Sequence, residues 1–185
     1  MDYNEIIEKI KPDLQNLVNY FKEEVLKIRA GRLSPSLVED IKVECFGSVM
    51  SVKQLGAIST PSFREILIQL WDKSYVEQVV RAIEKANLGV GIRIEENNIY
   101  LSAPPLTEEQ RKNLIRVLNQ KKEQVFQSIR KIRDKAWKEI QEGFQRGEIR
   151  EDDKYKGKDK LEEVIKEYRQ KIEEISERKR EEIEG

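Results

Sequence analysis

The chain has no histidine. That removes the commonest general base, the commonest zinc ligand and every nucleophile activated by an imidazole. It has one cysteine, Cys45, which excludes an internal disulfide and a cysteine metal cluster and suits a reducing compartment. Net charge is missing too: 35 basic residues stand against 35 acidic ones, so any basic surface must be local. No run approaches the roughly 18 apolar residues of a membrane span. Met1–Glu5 holds neither the basic segment nor the apolar stretch of a secretion signal. A soluble, cytoplasmic protein with no membrane partner is expected. Gly89-Val90-Gly91 lacks the third glycine and the strand-turn-helix setting of a phosphate cradle. Carboxylate pairs abound on helices, but no partner that would tune them accompanies any of them. No catalytic residue, metal or cofactor is therefore expected.

What the chain has in excess is charge, 38% of its 185 residues against roughly a quarter in ordinary domains. That points to long solvent-bathed helices, to growth at high temperature, or to both. From Ile7, the positions Ile10, Leu14, Leu17, Phe21 and Ile28 keep a three-four spacing broken only at Glu24, with Val18 and Val25 beside the stripe. This predicts an amphipathic helix, which Pro12 should start near Lys11 or kink there. Ala30–Ser36 then brings the glycine and proline that end helices. Alternation at Ile41, Val43 and Cys45, ended by Gly47, predicts a strand, and the runs 51–55 and 65–71 predict two more. A short helix follows, capped by Ser74 with Glu77, carrying Val76, Val79, Val80 and Ile83 on one face and stopped at Gly89. Strands are expected at 92–95 and 98–102.

Ala103-Pro104-Pro105 closes this region, and Thr107 with Gln110 opens a long helix reaching about Phe144. Ile115, Leu118, Val125, Ile129, Ile132 and Ala136 fall in heptad register along it, interrupted at Lys122. Beyond a break at Gly143–Gly147, Leu161, Ile165, Tyr168, Ile172 and Ile175 repeat the period. The expected fold is α+β. Residues 1–30 and 106–185 form an antiparallel three-helix bundle, and residues 31–105 form a small α+β domain, sandwich-like (β/α/β), inserted between helices 1 and 2. The chain crosses between them twice, at 29–36 and 102–106. Gly31, Ser34, Pro35, Ala103, Pro104 and Pro105 at those crossings are the candidate hinge.

Neutrality conceals a separation of charge. Residues 1–30 and 31–105 each sum to −1, residues 106–150 carry 12 basic and 7 acidic side chains for +5, and residues 151–185 sum to −3. Within the basic helix, Arg130, Arg133 and Trp137 stand at i, i+3 and i+7 with Phe126 one turn above. Guanidinium groups match phosphates and stack on bases, so such a flank suits structured RNA. The plainer alternative is a solvated face paired with the acidic third helix, with Phe126 and Trp137 in the core.

Several segments together resemble the bacterial ribosome recycling factors. They are Lys27-Ile28-Arg29-Ala30-Gly31-Arg32-Leu33-Ser34-Pro35-Ser36-Leu37, Ile41-Lys42-Val43-Glu44 with Gly47 following, Trp71-Asp72-Lys73-Ser74, Asn87-Leu88-Gly89 and Pro104-Pro105-Leu106-Thr107-Glu108-Glu109. The resemblance runs almost end to end. It implies an L-shaped, monomeric, noncatalytic factor that enters the ribosome after termination and, with elongation factor G, separates the subunits, the GTP being used by that partner. It also implies that Arg133 and Arg130 contact large-subunit ribosomal RNA, with Arg29 and Arg32 supporting them. The chain departs from the family pattern at Pro12, at Asp134, where a basic residue is usual, and at 91–100, which lacks the customary Asn-Pro and has Tyr100 in place of an arginine. Asp134 implies one phosphate contact fewer.

A reading of a different class is a helical adaptor that dimerises as a coiled coil or holds protein partners. Sedimentation velocity separates the two. An elongated monomer is expected, whereas a tight dimer that covers the arginine flank would establish the adaptor.

Overall fold

Helix α1 begins well before Pro12. In the computed structural model, which describes residues 2–185, it spans Tyr3–Leu26, and the Asp2 side chain caps it by accepting from the Asn4 N–H at 3.3 Å. The helix runs unbroken through Pro12, so the expected start near Lys11 is wrong. An internal proline costs roughly 3 kcal/mol. Ile6 and Ile7, on the added first turns, are 1% and 2% exposed. Burying two such side chains stabilises by about 1.5–3 kcal/mol each, which offsets the proline. The stripe also sits slightly round from its expected place. Leu14, Val18, Phe21, Val25 and Ile28 are the buried positions, while Ile10 and Leu17 lie at the rim. Glu24 is not a break in that stripe, because its carboxylate reaches across to Lys121 while also pairing with Lys27. Those two ammonium groups hold the Glu24 carboxyl below its ordinary range.

The unit that contains α1 runs to Ile28 and resumes with Glu108–Gly185. Helix α4 spans Glu108–Gln145 and α5 spans Glu151–Glu184. At 1.5 Å per residue the 38 residues of α4 reach about 57 Å. Leu118, Val125, Ile129, Ala136 and Ile140 face inward from α4, and Leu161, Ile165, Tyr168 and Ile172 from α5. The two helices are antiparallel: Arg111 at the start of α4 donates to the Glu184 carbonyl at the end of α5. Helix α1 runs parallel to α5, with Tyr3 packed on Gly157 and a Cβ there meeting the Tyr3 Cβ at 3.0 Å. Gly143 does not break α4. It lies inside the helix, where its missing side chain lets Ile149 fold back within 2.8 Å of the vacant Cβ position, and Gly147 makes the turn with φ +74°. The α5 stripe also continues past Ile175, through buried Ser176, Lys179 and Ile183. Lys179 is 6% exposed and pairs with Glu182 at 3.1 Å, so the bundle's last turns have a polar core that hydropathy alone misses.

The second unit is Arg29–Thr107. Strands β1 (Lys42–Cys45) and β2 (Ser48–Ser51) form a hairpin, and the four-stranded sheet has the order β3-β4-β6-β5. Its strands are β3 (Gly56–Ser62), β4 (Glu65–Leu70), β5 (Gly91–Glu95) and β6 (Asn98–Ser102), and every pairing is antiparallel. Phe46 and Gly47 between β1 and β2 both have positive φ, as a two-residue hairpin turn demands. The expected strand at 51–55 is instead the end of β2 followed by a single helical turn, α2 (Val52–Leu55). Ser51 caps that turn, and Gln54 bonds back to the Ser51 N–H at 2.9 Å. Strand β3 was not anticipated. It is a mostly exposed edge strand with Pro61 and an irregular register between Ser59 and Ser62, so it carries little alternation.

Helix α3 (Val76–Ala86) packs against β1 and β6. Its approach is capped by Asp72, which accepts from the Ser74 N–H at 2.8 Å, and not by Ser74. Its left-handed end is Asn87, at φ 50° and ψ 51°, two residues before Gly89. Val43, Cys45, Leu55, Ile66, Ile68, Val79, Ile83, Ile99 and Leu101 close one core. Cys45 lies in it, and burial pushes its thiol upward and away from reactivity.

Gly56 begins β3 where the backbone of β4 passes closest. A Cβ there would lie 2.4 Å from the Gln69 carbonyl oxygen, which belongs to the backbone and has little freedom to move. Gly56→Ala is expected to destabilise this unit by about 1–3 kcal/mol, as other overpacked sites do, read as an earlier unfolding transition by circular dichroism.

Candidate nucleic-acid interface

The buried stripe of α4 fixes how its middle turns face. With Ile129, Ala136 and Ile140 inward, Arg130, Lys131, Asp134, Lys135 and Lys138 are exposed, and Arg133 and Trp137 fall at the edge, half-buried. Arg130 and Arg133 are thus neighbours one turn apart on this helix. Each has an acidic partner. Arg130 Nη2 donates to Glu123 Oε1 at 3.1 Å. Arg133 donates to a single oxygen, Asp134 Oδ1, from Nε at 3.0 Å and from Nη2 at 2.8 Å. That bond is the main reason the Arg133 guanidinium binds its proton still more firmly than usual, with Glu162 on α5 adding a smaller attraction.

The aromatic residues are arranged differently from the sequence expectation. Phe126 does not interleave with the two arginines. It is 6% exposed and belongs to the core, with the Arg169 guanidinium of α5 lying 4.7 Å above its ring. Arg169 is the cation that sequence reasoning missed. It directly follows Tyr168 of the α5 stripe and so borders α4, but which aromatic it would meet depends on how the helices pair. An open groove runs along this border, lined by Arg133, Lys166 and Arg169 and by the acidic Asp159, Glu162 and Glu173 among others. The α4 side of the border is basic and the α5 side acidic, which is the charge separation of the sequence made spatial.

Arg29 and Arg32 belong to the other unit. Both are exposed, and Arg32 lies 5.3 Å from the centre of the Phe63 ring, held there by a bond from the Leu33 N–H to the Phe63 carbonyl at 2.8 Å. Nearby, Gly31 turns the chain with φ +72° and passes Ala103, whose N–H donates to the Arg64 carbonyl at 2.9 Å. Ser34 and Ser36 share a hydroxyl hydrogen bond of 2.5 Å, and Pro35 opens a 3-10 turn. Pro104 and Pro105 are exposed. Tyr100 pairs across the sheet with Arg93, whose guanidinium lies 4.1 Å over the ring. A cation therefore stands above the position where the resemblance leads one to expect an arginine. Among the described residues no helix is long and apolar enough to cross a membrane.

The sequence model of the family described as "Ribosome recycling factor" matches residues 21–183, through both units. The chain belongs to the ribosome recycling factor family. The ribosome-recycling factor of Pelodictyon phaeoclathratiforme is 35% identical over 183 residues, covering 99% of this chain and 98% of the relative. That of Aquifex aeolicus is 35% identical over 182 residues, covering 98% and 97%. Among solved structures, a solution structure of the ribosome recycling factor matches with a TM-score of 0.59 at 34% identity, over 99% of this chain and 97% of that one. The Thermus thermophilus factor, in models of it and Escherichia coli elongation factor G bound to the E. coli post-termination complex, matches with a TM-score of 0.59 at 26% identity over the full length of both.

In this member of the ribosome recycling factor family, Phe126 supports the bundle and is not a surface for stacking bases. Phe126→Ala is expected to lower bundle stability by about 3–5 kcal/mol in chemical denaturation, as truncation of a buried aromatic does. A change below about 0.5 kcal/mol, the range of ordinary surface substitutions, would place the ring outside the core.

Proposed function

We propose that this chain recycles ribosomes. It binds the post-termination ribosome and, together with elongation factor G, separates it into subunits and so frees it from messenger RNA. The observation that carries this reading is the family match, which spans both units and not one of them alone. The Thermus relative, bound with elongation factor G to a post-termination complex, supplies the partners. GTP is used by elongation factor G. This chain makes and breaks no bond itself, and it works in the cytoplasm.

Arg133 and Arg130 anchor the helical unit on large-subunit ribosomal RNA, and Arg29 and Arg32 add contacts from the other unit. The exposed basic face of α4 supports this assignment, because guanidinium and ammonium groups form charge-assisted bonds to phosphates and release the counterions condensed on them. Their existing carboxylate partners are exposed, and exposed ion pairs are worth only about 0–1 kcal/mol, so a phosphate can displace them. The paired crossings at 29–36 and 102–106 act as the hinge about which the two units rotate. Gly31 and the prolines Pro35, Pro104 and Pro105 fix the local turns there while adding few apolar contacts.

The test is splitting of purified post-termination ribosomes, followed by light scattering with each component left out in turn. Splitting is expected only when this chain, elongation factor G and GTP are all present. Arg133→Ala is expected to weaken binding to the large subunit by about tenfold at physiological salt, about 1.4 kcal/mol, within the range of one contact. An unchanged dissociation constant would remove Arg133 from the RNA contact.

A further inference from the structure

Asp134 is the acidic residue inside the arginine flank, and by charge alone it subtracts from RNA binding. The geometry points to a second role. We propose that Asp134 is a positioning residue, which fixes the Arg133 guanidinium in one orientation on α4 and restrains it from pairing with Glu162 across the groove beside α5. This rests on the reading of Arg133 as an RNA contact.

Arg133 leaves α4 at the edge of the buried stripe and lines the groove together with Asp159, Glu162 and Glu163. Asp134, one residue on, projects about 100° further round the helix, toward the exposed face that carries Lys131, Lys135 and Lys138. Two carboxylates, one on each helix, thus compete for one guanidinium. Glu162 attracts it from α5, and Asp134 bonds it directly through Nε and Nη2. The bonded partner is Asp134, and the guanidinium is held to α4 at the edge of the groove it lines.

The same bond decides which donors remain. Arginine has five N–H donors in a planar fork. Asp134 takes one from Nε and one from Nη2, which form the side edge of the fork. Three donors are left at the outer end, on Nη1 and Nη2. Arg133 is thereby presented end-on, in one orientation, with its positive charge partly cancelled. Such an arginine contributes a contact that depends on geometry more than on general attraction to phosphate, which is what sequence- or shape-specific RNA recognition requires.

The sign of one mutational effect separates positioning from charge. If Asp134 were only a negative charge beside RNA, Asp134→Ala would tighten binding. If it positions Arg133, the same change releases the guanidinium toward Glu162 and weakens binding. The experiment measures affinity for purified large ribosomal subunits at fixed salt for Asp134→Ala, Glu162→Gln, the two combined, Arg133→Ala, and Arg133→Ala with Asp134→Ala, with helicity checked for each. Asp134→Ala is expected to weaken binding about three- to tenfold, within the range of one RNA contact. Glu162→Gln alone is expected to change it less than about twofold, as an exposed charge does, and in the Asp134→Ala background to restore affinity to within about twofold of the parent. In the Arg133→Ala background, Asp134→Ala is expected to leave affinity equal or tighter. Binding equal to or tighter than the parent for Asp134→Ala, with Arg133→Ala weakened, overturns the positioning role and leaves the RNA contact standing. A loss that Glu162→Gln fails to reverse overturns the competition with α5. Unchanged binding for Arg133→Ala removes the RNA contact and this proposal together.

Discussion

The helical unit depends on one constraint: a helix of 38 residues cannot bury its apolar stripe alone. Two further helices cover it, α5 along nearly its whole length with 34 residues and α1 with 24. The stripe at Leu118, Val125, Ile129, Ala136 and Ile140 then fixes the rotation of α4 about its axis, since turning it by one residue would expose several fully buried side chains. Each costs roughly 1.5–3 kcal/mol when exposed. The position of Arg130 and Arg133 is therefore set by residues that never meet solvent. A rigid helix face, unlike a loop, holds two guanidinium groups one turn apart without further ordering on binding.

Electrostatics divides the same surface. A chain of zero net charge has no net charge to draw it toward RNA, so any electrostatic attraction rests on the local separation between the basic face of α4 and the acidic face of α5. The carboxylates that accompany each arginine fit this arrangement. Glu123 and Asp134 bond their partners in the free protein through exposed carboxylates, so on the proposed reading they can yield to phosphate.

Long, strongly periodic elements were legible in the sequence, because a stripe of ten turns leaves many independent signs of its phase. The three long helices follow from such stripes, and the strands at 42–45, 65–70, 91–95 and 98–102 from shorter alternating or branched apolar runs. What failed was short or polar. The helical turn at Val52–Leu55 has only four residues and depends on the Ser51 and Gln54 cap, so its apolar ends read as a strand. Strand β3 is exposed and holds a proline, and nothing in its composition alternates. The start of α1 was lost because a local rule about Pro12 was set against burial of Ile6 and Ile7, which only the assembled bundle provides.

The candidate site shows the same division at the level of single residues. That Arg133 borders the stripe can be counted from Ile129 and Ala136. That Phe126 is core and sits under Arg169 cannot, since it requires the partner helix. Nor does spacing reveal that Asp134 takes two of the Arg133 donors, because residues i and i+1 on a helix do not face each other and only a long, flexible arginine can turn back to close that pair. A substitution that sequence counts as a loss of charge is, in three dimensions, also a restraint on direction. Whether restraint or charge dominates depends on what else competes for the guanidinium, and on this bundle the competitor is a carboxylate on the neighbouring helix. An isolated α4 would carry the same sequence and lack that competition, so the role of Asp134 belongs to the folded bundle and not to the motif.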